Sequence, residues 1–451
     1  MKINWFKRSD DPKALLCVGE RLGYSCANTG LAFSYTLILA FLTFYYTDVV
    51  GIAPGIVGTI LLLSRVFDGV SDLLMGWLMD RTRTRFGKAR PWILAMAVPH
   101  AITAILAFSV PAGFTDMQKY IYAFVTYNLV NTITYTATNI PIFAANCLLT
   151  DNSDEHARSG IWMQVGGTGA LFLVQYTFLP IVEKLGGGAR AWSITAGIFA
   201  VIGAILMIIA AVTIRERVVT APEETKIPLG TRLKAIFTNK YWVMYTLYWL
   251  ITAIIIDMLS ASALYFAKYI LGGEEFYGTY ATIQSIIQTV LLIVAMTFVL
   301  KKLGKKQCSM AFYILWGVTC LIQWFIPSYP VAIACSAIRG VGYAMSLGAQ
   351  GAMIADSISY GSKKAGFDTS GIGNAGISVG AKMGSGLASV LLGGILEAFH
   401  YDGTAATQAA SALTGIKVVH LALPVVLCVV GALLLMPFDL YKRVERGEAE
   451  I

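Results

Sequence analysis

Twelve apolar runs, each long enough to cross a lipid bilayer as a helix, follow one another along this chain with only short polar segments between them. They fall at 22–46, 54–79, 91–110, 117–149, 158–183, 190–213, 241–270, 277–300, 308–327, 330–358, 370–398 and 416–438. A crossing needs roughly 20 apolar residues, because the hydrocarbon core is about 30 Å thick and a helix rises about 1.5 Å per residue. In lipid the backbone must satisfy its own hydrogen bonds, so helices are expected throughout. The composition agrees: 57% of the 451 residues are hydrophobic and 13% charged, about half the charge of a soluble domain. A mean hydropathy of +0.67, spread along the length, excludes a disordered chain and a singly anchored ectodomain. The expected fold class is all-α and polytopic.

The net charge of +8 lies mostly in loops. Arg81, Arg83, Arg85, Lys88 and Arg90 precede the third run, and later alternate loops carry Arg215, Arg217, Lys226, Arg232, Lys234 and Lys240, then Lys301, Lys302, Lys305 and Lys306, then Lys363 and Lys364. The intervening loops hold only scattered bases such as Lys119, Lys184, Arg190, Lys268 and Lys417. The positive-inside rule then puts both termini in the cytoplasm, and nucleic acid is not expected as a partner. The N-terminal stretch shows no small-residue cleavage site, so no removable leader is expected. Seven cysteines with no CxxC among them suggest apolar packing, with neither a disulfide framework nor a metal site.

The longest polar interruption, Arg215 to Lys240 with two prolines, divides the runs six and six. Expected domains are therefore 1–214, a six-helix bundle; 215–240, a cytoplasmic loop; 241–440, a second bundle; and 441–451, a cytoplasmic tail. Facing halves of this kind are a common transporter plan, with solute and ion sites near the midplane.

Ionisable groups at bilayer depth cost several kcal/mol unless paired or hydrated, and so mark candidate sites. Arg65, Asp68 and Asp72 share one helix face at i, i+3 and i+7, which brings two carboxylates one turn apart. Two such acids repel unless a cation lies between them. Ser71 and Thr136 offer neutral oxygens to complete an all-oxygen cage for a hard ion such as Na+. The alternative is structural pairing with Arg65 or with Lys382. Lys382 ends a stripe with Asn374 and Ser378; if it approaches Asp68 and Asp72 the triad carries −1, which one Na+ or H+ neutralises.

Further polar stripes suit the lining of a solute cavity: Asn128, Asn131, Tyr135, Thr138 and Asn139 on the fourth run; Arg339, Tyr343, Ser346 and Gln350 on the tenth; Gln284 and Gln288 on the eighth. Interhelical hydrogen bonding is the competing reading. Asp257 and Arg339 either neutralise each other or meet polar and anionic groups of a solute. His100 and His420 are expected to pack rather than relay protons. No nucleophile elbow, HExxH, Walker loop or dinucleotide fingerprint appears in a supporting context, so an enzyme is not expected.

Three segments together resemble the glycoside, pentoside and hexuronide cation symporters: Tyr46 to Gly51, the run from Arg65 through Asp68 to Asp72, and the loop from Asp80 to Trp92. Asn139 to Pro141, Ile354 to Gly361 and Lys382 follow in order, so the resemblance covers nearly the whole chain. It implies a major facilitator fold of two pseudo-symmetric six-helix bundles, alternating access, and residence in the plasma (inner) membrane. It also implies that Asp68, Ser71, Asp72 and Thr136 hold the coupling Na+ or H+, that Lys382 couples the ion to the solute, and that no cofactor is used. Where the family's galactoside carriers place sugar-binding charges, this chain has Ala32, Asn139 and either Met163 or Gln164. A carboxylate that clamps hydroxyls has no substitute in Ala, so galactoside specificity is not expected. The expected solute is another sugar, glycoside or related polar molecule, with a lysolipid, hexuronate or sulfosugar as the alternative. Its candidate contacts are Asn128, Tyr135, Asn139, Gln164, Asp257, Arg339, Tyr343 and Gln350, in a monomer.

Overall fold

The computed structural model describes residues 11, 15–150, 152–218, 228–294, 296–367, 369–405 and 407–448. The leader expectation, part of the 215–240 loop and the last residues of the tail lie outside them. The described chain is helical throughout, and its one bridge of extended type joins Thr84 to Gly87. It divides into two compact units, Met1–Glu223 and Glu224–Ile451.

In the first unit the helices are α1 (Val18–Leu37), α2 (Pro54–Arg81), α3 (Arg90–Ala107), α4 (Asp116–Tyr127), α5 (Thr136–Leu149), α6 (Ser153–Lys184) and α7 (Ala189–Thr213). Wide turns with i→i+5 pairing extend α1 at Ile38–Leu42 and Tyr45–Val49, and another, Asn128–Tyr135, joins α4 to α5 as one long helix. In the second unit they are α8 (Leu229–Phe237), α9 (Lys240–Phe266), α10 (Glu275–Val294), α11 (Met296–Leu303), α12 (Lys305–Phe325), α13 (Tyr329–Ala365), α14 (Ser370–Ala398), α15 (Ala410–Lys417), α16 (Leu423–Leu435) and α17 (Leu440–Glu445). A wide turn at Val418–Ala422 links α15 to α16. Among the described residues nine spans are long and apolar enough to cross a membrane.

Helix starts follow local chemistry. Pro54 opens α2, where its missing N–H would have lacked a partner anyway. Thr115 and Gln118 form a capping box on α4, the Thr115 amide donating to the Gln118 side chain at 2.9 Å. Asn239 caps α9 by accepting from the amides of Tyr241 and Trp242 at 3.2 and 3.3 Å. Packing then selects small residues. α1 crosses α7 so closely that a Cβ on Gly203 would lie 2.6 Å from the Gly30 carbonyl oxygen.

One end of the first unit is held by charge. Glu216 accepts three backbone N–H groups at the start of α3, from Lys88 (2.7 Å), Ala89 (2.9 Å) and Arg90 (2.8 Å). That places a carboxylate on the positive end of a helix dipole. Arg217 pairs with the buried Glu20 at 2.5 Å, and Arg21 grips Glu155 through two N–H groups at 2.8 Å each. The basic loop is thus tied into the bundle, and α2 and α5 are presented side by side.

Candidate cation site and polar interior

α2 and the α4–α5 helix meet along Asp68 and Asp72. Asp68 is 2% exposed and its carboxylate is fully engaged. Thr132 donates to Oδ1 at 2.5 Å, Asn131 to Oδ2 at 3.0 Å, and Arg65 pairs with Oδ2 at 3.2 Å from one turn back on the same helix. Asp72, half-buried one turn further on, accepts from the Thr136 hydroxyl at 3.2 Å. Ser71 donates to the Asp68 carbonyl oxygen at 2.9 Å and lies 3.5 Å from the Thr136 hydroxyl. Within this unit the Arg65, Asp68 and Asp72 charges sum to −1. Asp68 is held by a guanidinium, an amide and a hydroxyl, while Asp72 accepts from Thr136, whose hydroxyl lies 3.5 Å from that of Ser71; carboxylate and hydroxyl oxygens are the ligands a hard ion takes.

The wide turn Asn128–Tyr135 carries these groups, and such turns concentrate at functional sites. Asn131 and Thr132, at i+3 and i+4 from Asn128, lie on one helix face and reach the two oxygens of one carboxylate. Thr132 is the residue of this face that the polar stripe read from the sequence passed over, although its spacing from Asn128 and Tyr135 would have found it. Asn128 donates to Ser64 at 2.8 Å and braces α2. Tyr135 is half-buried and stacks on Tyr35 with ring centroids 5.4 Å apart. Thr138 turns back to donate to the Thr134 carbonyl at 2.7 Å, whereas Asn139 stays half-buried. At the position where the sequence offers two residues, Met163 packs in the core with Tyr24, Leu31 and Met207, and Gln164 is exposed. His100 is buried, with Nδ1 3.0 Å from the Thr134 hydroxyl.

In the second unit the candidates scatter. Lys382 is half-buried on α14, where Asn374 and Ser378 are exposed. Asp257 on α9 is half-buried and lies beside Tyr343. Tyr343 packs on Phe312 and Trp316, each with ring centroids 6.1 Å away. Gln350 is half-buried, and its carbonyl accepts from Tyr245 at 3.4 Å. Ser346, fully buried, bonds the Tyr248 hydroxyl at 2.6 Å.

Arg339 does not meet Asp257. It is 1% exposed and donates to the Tyr280 hydroxyl at 2.7 Å and to Ser336 at 3.2 Å. Mutual neutralisation, one of the two alternatives drawn from the sequence, is thereby excluded. The sequence signal was charge alone, and charge does not say which way a helix is turned. His420 packs as expected: both ring nitrogens are bonded, to Ser262 and Tyr280 at 2.7 Å each, and its ring stacks on Phe266 at 4.4 Å.

The family model for MFS/sugar transport proteins matches residues 23–442. The chain is 33% identical over 421 residues to the isoprimeverose transporter of Lactiplantibacillus pentosus, across 90% of this chain and 85% of that one. It is 28% identical to the inner membrane symporter YicJ of Escherichia coli strain K12, across 93% and 91%, and 26% identical to that organism's glucuronide carrier protein homolog, across 84% and 82%. Among solved structures it is similar to the nucleoside transporter NupG, with a TM-score of 0.64 at 14% identity, covering 92% of this chain and 99% of that one. That last likeness concerns the fold.

Proposed function

The chain belongs to the MFS/sugar transport proteins, among the glycoside, pentoside and hexuronide cation symporters, and on that premise we propose that it carries a neutral glycoside together with one cation, Na+ or H+. It is a membrane transporter of sugar-like solutes and not an enzyme. The observation that carries the proposal is the placement of Asp68, held by Arg65, Asn131 and Thr132, one turn from an Asp72 that accepts from Thr136 beside Ser71. The cation enters at Asp72, with Thr136 and Ser71 as neutral ligands and Asp68 as the second charge. Arg65 serves as the internal counter-ion that holds Asp68 before the cation arrives. Lys382 keeps the coupling role implied by the family. Neutralising a local −1 favours one conformation over another by the ion's differential affinity for the two, and linkage makes solute and ion reinforce each other by about 1 to 3 kcal/mol.

Two features favour a neutral glycoside over a hexuronate or sulfosugar. The first is the likeness to an isoprimeverose transporter over nine-tenths of the chain. The second is the burial of Arg339, the basic candidate for an anionic solute, against Tyr280 and Ser336. The polar groups proposed to meet the sugar are Tyr135, Asn139, Asp257, Tyr343 and Gln350, with Asn128 and Gln164 at the margin.

The test is thermal unfolding of the purified protein with neutral xylosides and glucosides, galactosides, hexuronates, sulfosugars and lysolipids, each with and without Na+ and across pH. Joint stabilisation by a neutral glycoside and a cation, larger than the sum of either alone, is the expected result. Joint stabilisation by an acidic sugar or a lysolipid alone would overturn the substrate assignment.

A further inference from the structure

The second unit holds one charge that its own bundle leaves unanswered. Arg339 is 1% exposed and makes no ion pair among the described residues. Its guanidinium reaches neutral groups: the Tyr280 hydroxyl at 2.7 Å, the Ser336 hydroxyl at 3.2 Å and the Cys320 thiol at 4.0 Å. Its Nε–H is buried without a hydrogen-bond partner. A guanidinium cannot shed its proton, so burial among neutral groups costs several kcal/mol that two neutral hydrogen bonds and the Tyr280 ring offset only in part.

A second group stands unpartnered at the same place. Gln323 on α12 is 1% exposed, and neither its amide nitrogen nor its oxygen makes a hydrogen bond of good geometry, its polar neighbour being the Tyr280 hydroxyl. It lies one turn beyond Cys320 and beside Tyr280. One turn before Cys320, Trp316 donates its indole N–H to the Arg339 carbonyl at 2.9 Å, so this face of α12 runs along the part of α13 that carries Arg339.

Hydrogen-bond direction decides what is missing. The guanidinium only donates, so the Tyr280 oxygen accepts from it and the Tyr280 proton goes to His420 Nε2, 2.7 Å away. His420 Nδ1–H then donates to Ser262, whose own proton goes to the Met258 carbonyl at 2.6 Å. The relay consumes its acceptors, and what is left over is the Arg339 Nε–H and the Gln323 amide beside a net positive charge.

We propose that the junction of α10, α12 and α13 binds one small inorganic anion of the halide class, held by Arg339 Nε–H and the Gln323 amide. A water molecule satisfies the donors but leaves the charge; a halide ion answers both. The site lies within the second bundle and does not depend on the transport reading, so its test is independent of any solute.

The full-length protein in lipid nanodiscs is titrated with NaCl against sodium gluconate at constant Na+ and ionic strength. The melting temperature is expected to rise saturably with chloride, bromide is expected to substitute, and radiolabelled chloride to bind at one ion per chain. Gln323→Leu, which keeps the charge and the relay, should weaken the apparent chloride affinity about tenfold or more, as expected for one lost hydrogen bond to an ion. Arg339→Met should abolish the response; should that variant fail to fold, Gln323→Leu remains decisive. A wild-type melting temperature that is the same in gluconate and chloride overturns the proposal. So does a chloride response left unchanged by Gln323→Leu.

Discussion

Arg65 and Asp68 form a buried pair whose energetic weight can be separated from cation binding. The guanidinium nitrogen lies 3.2 Å from the carboxylate oxygen, with the side chains 16% and 2% exposed. At an effective dielectric of about 20 the Coulomb attraction at this distance is about 5 kcal/mol. Desolvation offsets much of that in the intact pair, but Arg65→Met strands the buried Asp68 carboxylate, which costs about 3–5 kcal/mol. Asp68→Asn costs less, because Arg65 has further interactions and Asn131 and Thr132 bond the new amide. The double variant Arg65→Met/Asp68→Asn strands no charge, so it should be more stable than the sum of the single losses by about 3 kcal/mol. Equilibrium unfolding in mixed micelles, run as a double-mutant cycle without coupling ion, measures this term. A coupling energy below about 1 kcal/mol would refute the claim that Arg65 is Asp68's resident counter-ion.

Two further outcomes follow from the geometry. Thr136→Val removes the hydroxyl that bonds Asp72 while keeping its shape, and should weaken cation affinity about tenfold, read as a shift in the cation concentration for half-maximal thermal protection. Glu216→Ala takes three acceptor contacts from the first turn of α3, and should cost about 1–2 kcal/mol of stability in the same unfolding assay, with cation affinity unchanged.

The helical layout was legible because lipid leaves the backbone few options, and the apolar runs announced the long helices. The run 370–398 coincides with α14, and 54–79 falls two residues short of the end of α2. The charged face of α2 was legible too, since Arg65, Asp68 and Asp72 recur at helical spacing and α2 is a regular helix. Thr132 was equally legible, at i+4 from Asn128 on the face of Asn131 and Tyr135, and was passed over. Arg339 was legible as an intramembrane charge but not in its setting. Its partner Tyr280, and His420 beyond that hydroxyl, are 59 and 81 residues away, and only tertiary packing brings them together. The choice between Met163 and Gln164 turned on helix rotation by one residue, which the Tyr24, Leu31 and Met207 contacts fix.

The most direct trial of the central claim is accumulation of a neutral glycoside, chosen by the unfolding screen, in proteoliposomes under an imposed inward Na+ or proton gradient. The account predicts that wild-type protein concentrates the sugar above equilibrium under one of these gradients, and that Asp72→Asn still exchanges sugar across the membrane but no longer concentrates it. Gradient-driven accumulation that survives intact in Asp72→Asn would contradict it.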